Sequence, residues 1–97
     1  MVEIRFHPQA RAEYEEALAW YRSRSELAAD RFEAEAERTV DAIAATPGLF
    51  PRYDDRYQFA LLRRYPFSLV YEVLPDSITV IAVPHSRRSP GYWRGRG

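Results

Sequence analysis

The sequence predicts an α+β fold: an N-terminal strand, an antiparallel two-helix hairpin, then a three-stranded antiparallel meander in one sheet. Three observations carry this expectation. Apolar residues alternate over VEIRFH (2–7), recur at three- and four-residue spacing from Ala10 to Ile43, and then fill three short β-prone runs between residues 56 and 83. At 97 residues the chain is expected to be one domain, 1–97. A chain of this length buries roughly 65% of its unfolded surface, which leaves room for one modest core and not two.

The elements follow in order. Val2, Ile4 and Phe6 share one face of the first strand, with Glu3, Arg5 and His7 on the other. Pro8 stops that strand and suits the first turn of a helix. Ala10, Tyr14, Ala17, Leu18 and Tyr21 form one helical face, and Trp20 with Tyr21 is expected in the core. Ser23 and Glu26 have capping-box spacing and predict the start of the second helix. Its buried stripe is Leu27, Phe32, Ala36, Val40 and Ile43, with Glu33, Glu35 and Glu37 mostly elsewhere. TPG (46–48) ends it, because proline cannot continue the ladder.

GLFPRYDD (48–55) is a loop. RYQFALL (56–62), FSLVYEVL (67–74) and SITVIAV (77–83) are the strands, and PDS (75–77) is a turn. The last strand is nearly continuously apolar, which predicts a central position covered on both faces. The first strand must join the same sheet, since its apolar face would otherwise lie exposed.

Composition narrows the function. There is no cysteine, hence no disulfide framework and no thiolate metal site, and the two histidines are far apart. No metal or cofactor is expected. The N-terminus lacks the apolar core of a signal peptide and no apolar run could span a bilayer, so the expectation is a cytoplasmic protein with no membrane partner. Net charge is zero, which argues against a generic basic coat for nucleic acid. Its distribution is uneven: residues 1–46 hold six Arg against ten acids, residues 47–97 eight Arg against four. All fourteen basic residues are Arg, as a GC-rich genome would produce without functional cause, although Arg forks also suit phosphates and carboxylates.

AVPHSRRSPGYW (82–93) is where the chain changes character, from an apolar strand to one histidine, two arginines and two aromatics. His85 is a residue type used for acid–base work, and Arg87 with Arg88 could clamp a phosphate. Tyr92 or Trp93 could stack on a base, while Arg63 and Arg64 approach from the neighbouring strand. Plainer roles stand beside these. His85 can bond to backbone, Arg87 and Arg88 can pair with Glu72 or Asp76, and Tyr92 and Trp93 can pack.

In its order of parts the chain resembles the RelE/ParE superfamily of bacterial toxins of type II toxin–antitoxin systems. The opening strand ending in HPQA, the helix closing on AWY, TPG, RRYPFSLVYEV (63–73) and ITVIAVPHSRRSPGYW (78–93) carry the resemblance, and the pattern is closer to the ParE branch. It implies a growth-inhibiting toxin silenced by a cognate antitoxin protein. ParE-like toxins poison DNA gyrase; RelE-like toxins cut mRNA on the ribosome. RelE-like nucleases carry cations where this chain has Phe59, Ala60, Leu61 and Ser68, so gyrase inhibition is the expected action. Arg63, Arg64, Arg87, Arg88, Tyr92, Trp93 and Arg94 are the candidate target- or antitoxin-binding residues. The alternative is a ribosome-dependent endonuclease whose catalytic residues would be His85, Arg87, Arg88 and Tyr92. A further alternative is an inactive toxin-like binding module.

Overall fold

The computed structural model describes residues 2–96, and the predicted order of elements is the one observed. Strand β1 (Glu3–Phe6) leads to helices α1 (Pro8–Arg24) and α2 (Glu26–Ala45). A single 3-10 turn (Pro47–Leu49) and a loop then precede β2 (Tyr57–Leu61), β3 (Ser68–Val73) and β4 (Ser77–Ala82). The sheet order is β1-β4-β3-β2. β2, β3 and β4 pair antiparallel, and β1 lies parallel to β4 with Glu3 opposite Ser77 and Phe6 opposite Val80. Parallel pairing needs a long connection, and here the helices and the meander supply it.

The helix hairpin covers one face. Ala10 and Ala17 of α1 and Phe32, Ala36 and Ile43 of α2 close on Leu69, Tyr71, Ile78 and Val80 of the sheet. Phe32 sits at the centre of an aromatic group, 4.7 Å from Tyr21 and 5.3 Å from Tyr65 between ring centroids. Tyr71 donates its hydroxyl to the Pro47 carbonyl at 2.6 Å, and burial pushes the phenol up to about 12.

The opposite face has a smaller core of its own, built from Tyr57, Val70, Ile81, Ala82 and Trp93. This corrects the expectation of a single core. The physical cause is a bulge: Val70 opposes Ala82 while Tyr71 opposes Val80, so Ile81 is the extra residue. Ile81 and Ala82 therefore both join the cluster on the face away from the helices, and β4 needs cover on both sides.

Four local expectations are also corrected. Ser25, not Ser23, caps α2: its hydroxyl accepts the Ala28 N–H at 2.9 Å, whereas Ser23 lies within α1 and donates to the Trp20 carbonyl at 2.6 Å. Leu27 is 57% exposed, because the first turn of α2 lies at the hairpin tip. Trp20 is 54% exposed, while its neighbour Tyr21 turns inward onto Phe32. Glu35 is buried, accepting the Arg63 N–H at 3.1 Å and pairing with Arg38 at 2.8 Å.

Candidate functional site

Beyond β4 the chain continues the ladder. The Ser68 N–H donates to the Pro84 carbonyl at 3.1 Å and the Ser86 N–H to the Pro66 carbonyl at 2.8 Å, which sets His85 across from Phe67. The two rings meet edge to face at 5.1 Å. His85 Nδ1 accepts the Arg87 N–H at 3.0 Å, so the neutral imidazole carries its proton on Nε2. The Arg88 N–H donates back to the His85 carbonyl at 3.0 Å and tightens the turn. Gly91 then adopts φ 79°, a left-handed conformation that reverses the chain toward the sheet.

Two anchors hold the returning tail. Trp93 is 2% exposed, 4.7 Å from the Tyr57 ring and 5.0 Å from Tyr53. The second anchor is Glu13 of α1. One of its carboxylate oxygens accepts the Val83 N–H at 2.9 Å, and the other accepts the Tyr92 hydroxyl at 3.0 Å and the Arg96 guanidinium at 2.9 Å. Burial alone would raise the Glu13 pKa, but the hydrogen bonds from Arg96, Val83 and Tyr92 outweigh it and hold the carboxyl below its ordinary value. The same contacts act oppositely on Tyr92, where burial and then the bond to Glu13 push the phenol up to about 12. Arg96 also donates to the Ile81 carbonyl at 3.2 Å.

Sequence reasoning missed Glu13 and Arg96. For Glu13 a signal was present: it stands three residues after Ala10 and four before Ala17, on the apolar stripe of α1. An acid there must find partners. Glu35, three after Phe32 and four before Thr39, is the same case on α2.

Between α1 and the tail lies an open groove of about 700 Å³. Glu13, Glu16, Trp20 and Tyr21 line one wall, and Phe67, His85, Arg88 and Tyr92 line the other. The structure thus brings together His85, Arg88 and Tyr92 of the residues singled out in the sequence. Arg88 lies over the Tyr92 ring at 3.8 Å, and Arg24 over Trp20 at 4.5 Å.

The other singled-out residues are placed differently. Arg63 and Arg64 are exposed in the β2–β3 turn, and Arg87 is exposed beside His85. Trp93 is a packing residue in this structure. Arg94 reaches Asp54 at 2.7 Å and lies over both Tyr53 and Trp93, so it ties the tail to the loop before β2. Glu72 is taken by Arg56, not by Arg87 or Arg88.

The arrangement offers cations and an imidazole around a partly aromatic groove. The groups that acid–base chemistry would need are partly engaged: the Tyr92 proton is held on Glu13, and one His85 nitrogen is held by backbone. No described helix is long and apolar enough to cross a membrane.

Known proteins share this architecture. A profile of the family described as ParE toxin of type II toxin–antitoxin system, parDE, matches residues 4–90. Among solved structures, a chain titled as the chromosomal ParDE toxin–antitoxin system from P. aeruginosa superposes with a TM-score of 0.62. It is 14% identical, and the match covers 88% of this chain and 96% of that one, a likeness that shows the fold. No curated protein sequence matched the chain.

Proposed function

The chain belongs to the ParE toxin family of type II toxin–antitoxin systems, and on that premise we propose that it arrests growth by binding DNA gyrase in the cytoplasm until a cognate antitoxin neutralises it. The observation that carries a binding action over a cutting one is the state of the tail. Tyr92 is tied to Glu13, Arg88 is stacked on Tyr92, and Trp93 is buried in the fold. Phosphorane charge would have to be met by Arg87 and Arg88, since the strand positions beneath hold Phe59, Ala60, Leu61 and Ser68.

The groove between α1 and the tail is the proposed contact surface for the target. Its exposed Trp20, the half-buried Tyr21 and Tyr92, and Arg88 are residue types that dominate interface energetics. The cognate antitoxin is proposed to bring an acidic segment to the C-terminal half, where eight Arg face four acids.

The test is titration of the purified, antitoxin-free protein into gyrase supercoiling and cleavage reactions. The expected result is loss of supercoiling with cleaved DNA trapped on the enzyme. A folded sample with no effect on gyrase overturns the proposal. A second reading, a ribosome-dependent mRNA endonuclease, draws support from His85, Arg88 and Tyr92 sharing one groove. Message ends that disappear in His85→Ala, with gyrase untouched, would put that reading in its place.

A further inference from the structure

Six arginines, Arg5, Arg22, Arg38, Arg56, Arg94 and Arg96, each lie within 3.3 Å of a carboxylate. The other eight make no such pair among the described residues, and Arg63, Arg64, Arg87 and Arg88 are four of them. All four are exposed, and the topology gathers them. The β2–β3 turn and the extension of β4 lie at the same end of the sheet, because Phe67 and His85 face each other there. β3 lies between them and neighbouring strands are about 5 Å apart, so the backbones of the two arginine pairs stand on the order of 10 Å from one another.

The backbone beneath these side chains is ordered. Glu35 holds the Arg63 N–H at 3.1 Å, the Leu62 N–H donates to the Phe67 carbonyl at 2.9 Å, and His85 holds the Arg87 N–H at 3.0 Å. Arg64 is the one described non-glycine residue with positive φ, at 71°. That conformation is unfavourable for any L residue and free for glycine, yet an arginine occupies it. Four like charges on fixed supports, one of them in a strained turn, repel each other unless an anion joins them.

We infer that this end of the sheet is a binding surface for the phosphate backbone of duplex DNA, contacted by Arg63, Arg64, Arg87 and Arg88. Two features favour a nucleic acid over an acidic protein segment. The neighbours Pro66, Ser86, Ser89 and Pro90 are all exposed, and of the four arginines only Arg88 borders the apolar groove beside α1; Arg63, Arg64 and Arg87 stand outside it, without the apolar anchor site that a protein interface buries at its centre. Interfaces with DNA are instead polar and strongly positive. A third feature favours duplex over single strand, which is bound by stacking its bases. Tyr92 is covered by Arg88 and Trp93 is buried, so the two rings of the tail are engaged within the protein. Over about 10 Å of duplex axis one strand presents about three phosphates and the two strands together about six, enough for four arginines to contact four.

The surface stands whether or not gyrase is the target, and its test uses DNA alone. The anisotropy of a short labelled duplex is followed with the purified protein over a series of salt concentrations. Neutralising about four phosphates gives a log–log salt slope of about −3 to −4. R63A/R64A and R87A/R88A should each lower the slope to about −2, while R11A/R31A, which removes two exposed charges elsewhere, leaves it unchanged. Because alanine could loosen either turn, R63K/R64K and R87K/R88K are measured as well and should keep the slope. An equal loss in R11A/R31A, no duplex binding at low salt, or a stronger grip on single-stranded oligonucleotide or poly-glutamate would each overturn the assignment.

Discussion

Glu13 shows how one side chain can organise a surface it does not itself present. Its carboxylate gathers a backbone N–H, a phenol and a guanidinium from three points of the last fifteen residues. Removing it leaves the Val83 N–H and Arg96 without their partner, and such losses are costly because the groups stay partly buried. Glu13→Ala should destabilise the fold by about 2–3 kcal/mol, a fall in Tm of roughly 10–15 °C for a chain this size. The pH dependence has a definite sign. The folded pKa is depressed, so the contribution of Glu13 is present above its unfolded value and is lost as pH falls through the folded one. Glu13→Gln, which keeps the shape without the charge, should flatten that part of the acid limb in thermal melts. An unchanged acid limb would mean that another carboxylate sets it.

At the scale of elements, the helix hairpin turns on a single residue. Ser25 is the only residue between Arg24 and Glu26, and it serves as the last cap of α1 and the first of α2. Its backbone N–H donates to the Tyr21 carbonyl at 3.0 Å while its hydroxyl takes the Ala28 N–H. Ser25→Ala should cost about 1 kcal/mol, and Ser23→Ala little or nothing, since a serine inside an exposed helix has no cap to lose. Chemical denaturation of both variants distinguishes them; equal losses would place the cap elsewhere. The strand pattern of β4 has a comparable local cause. A single inserted residue, Ile81, turns two consecutive apolar side chains to the face that the tail covers. The run ITVIAV is continuous for that reason, and not only because the strand is central.

For the molecule as a whole, the C-terminal segment is structural before it is functional. It closes the second face of the sheet through Trp93 and is tied to α1 by Arg96 and to the β2 loop by Arg94. Trp93→Ala should therefore cost about 3–5 kcal/mol, a large share of the roughly 5–15 kcal/mol that holds a domain together. Loss of toxicity in that variant would report unfolding. The check is circular dichroism and thermal melting beside the growth assay. A Trp93→Ala protein that melts like the parent yet no longer inhibits growth would show that the indole contacts a partner after all. The acidic N-terminal half and the Arg-rich C-terminal half also meet here, because the tail folds back onto α1 and exchanges charge with it at Glu13.

Local pattern determined the elements. Alternation, helical spacing and turn residues placed every strand and helix to within a few residues, and the apolar run of β4 required a central strand. These are short-range signals, carried by side chains a few positions apart. Tertiary structure alone decided what the tail does. Nothing within AVPHSRRSPGYW says whether its indole points to solvent or to a sheet face left open by the helices, or that the acid meeting Tyr92 and Arg96 lies on the first helix about eighty residues earlier. Nor does the sequence alone show that Arg63 and Arg64 share an end of the sheet with Arg87 and Arg88. That follows from strand pairing between distant segments, because which arginines remain unpaired depends on which carboxylates the fold brings within reach.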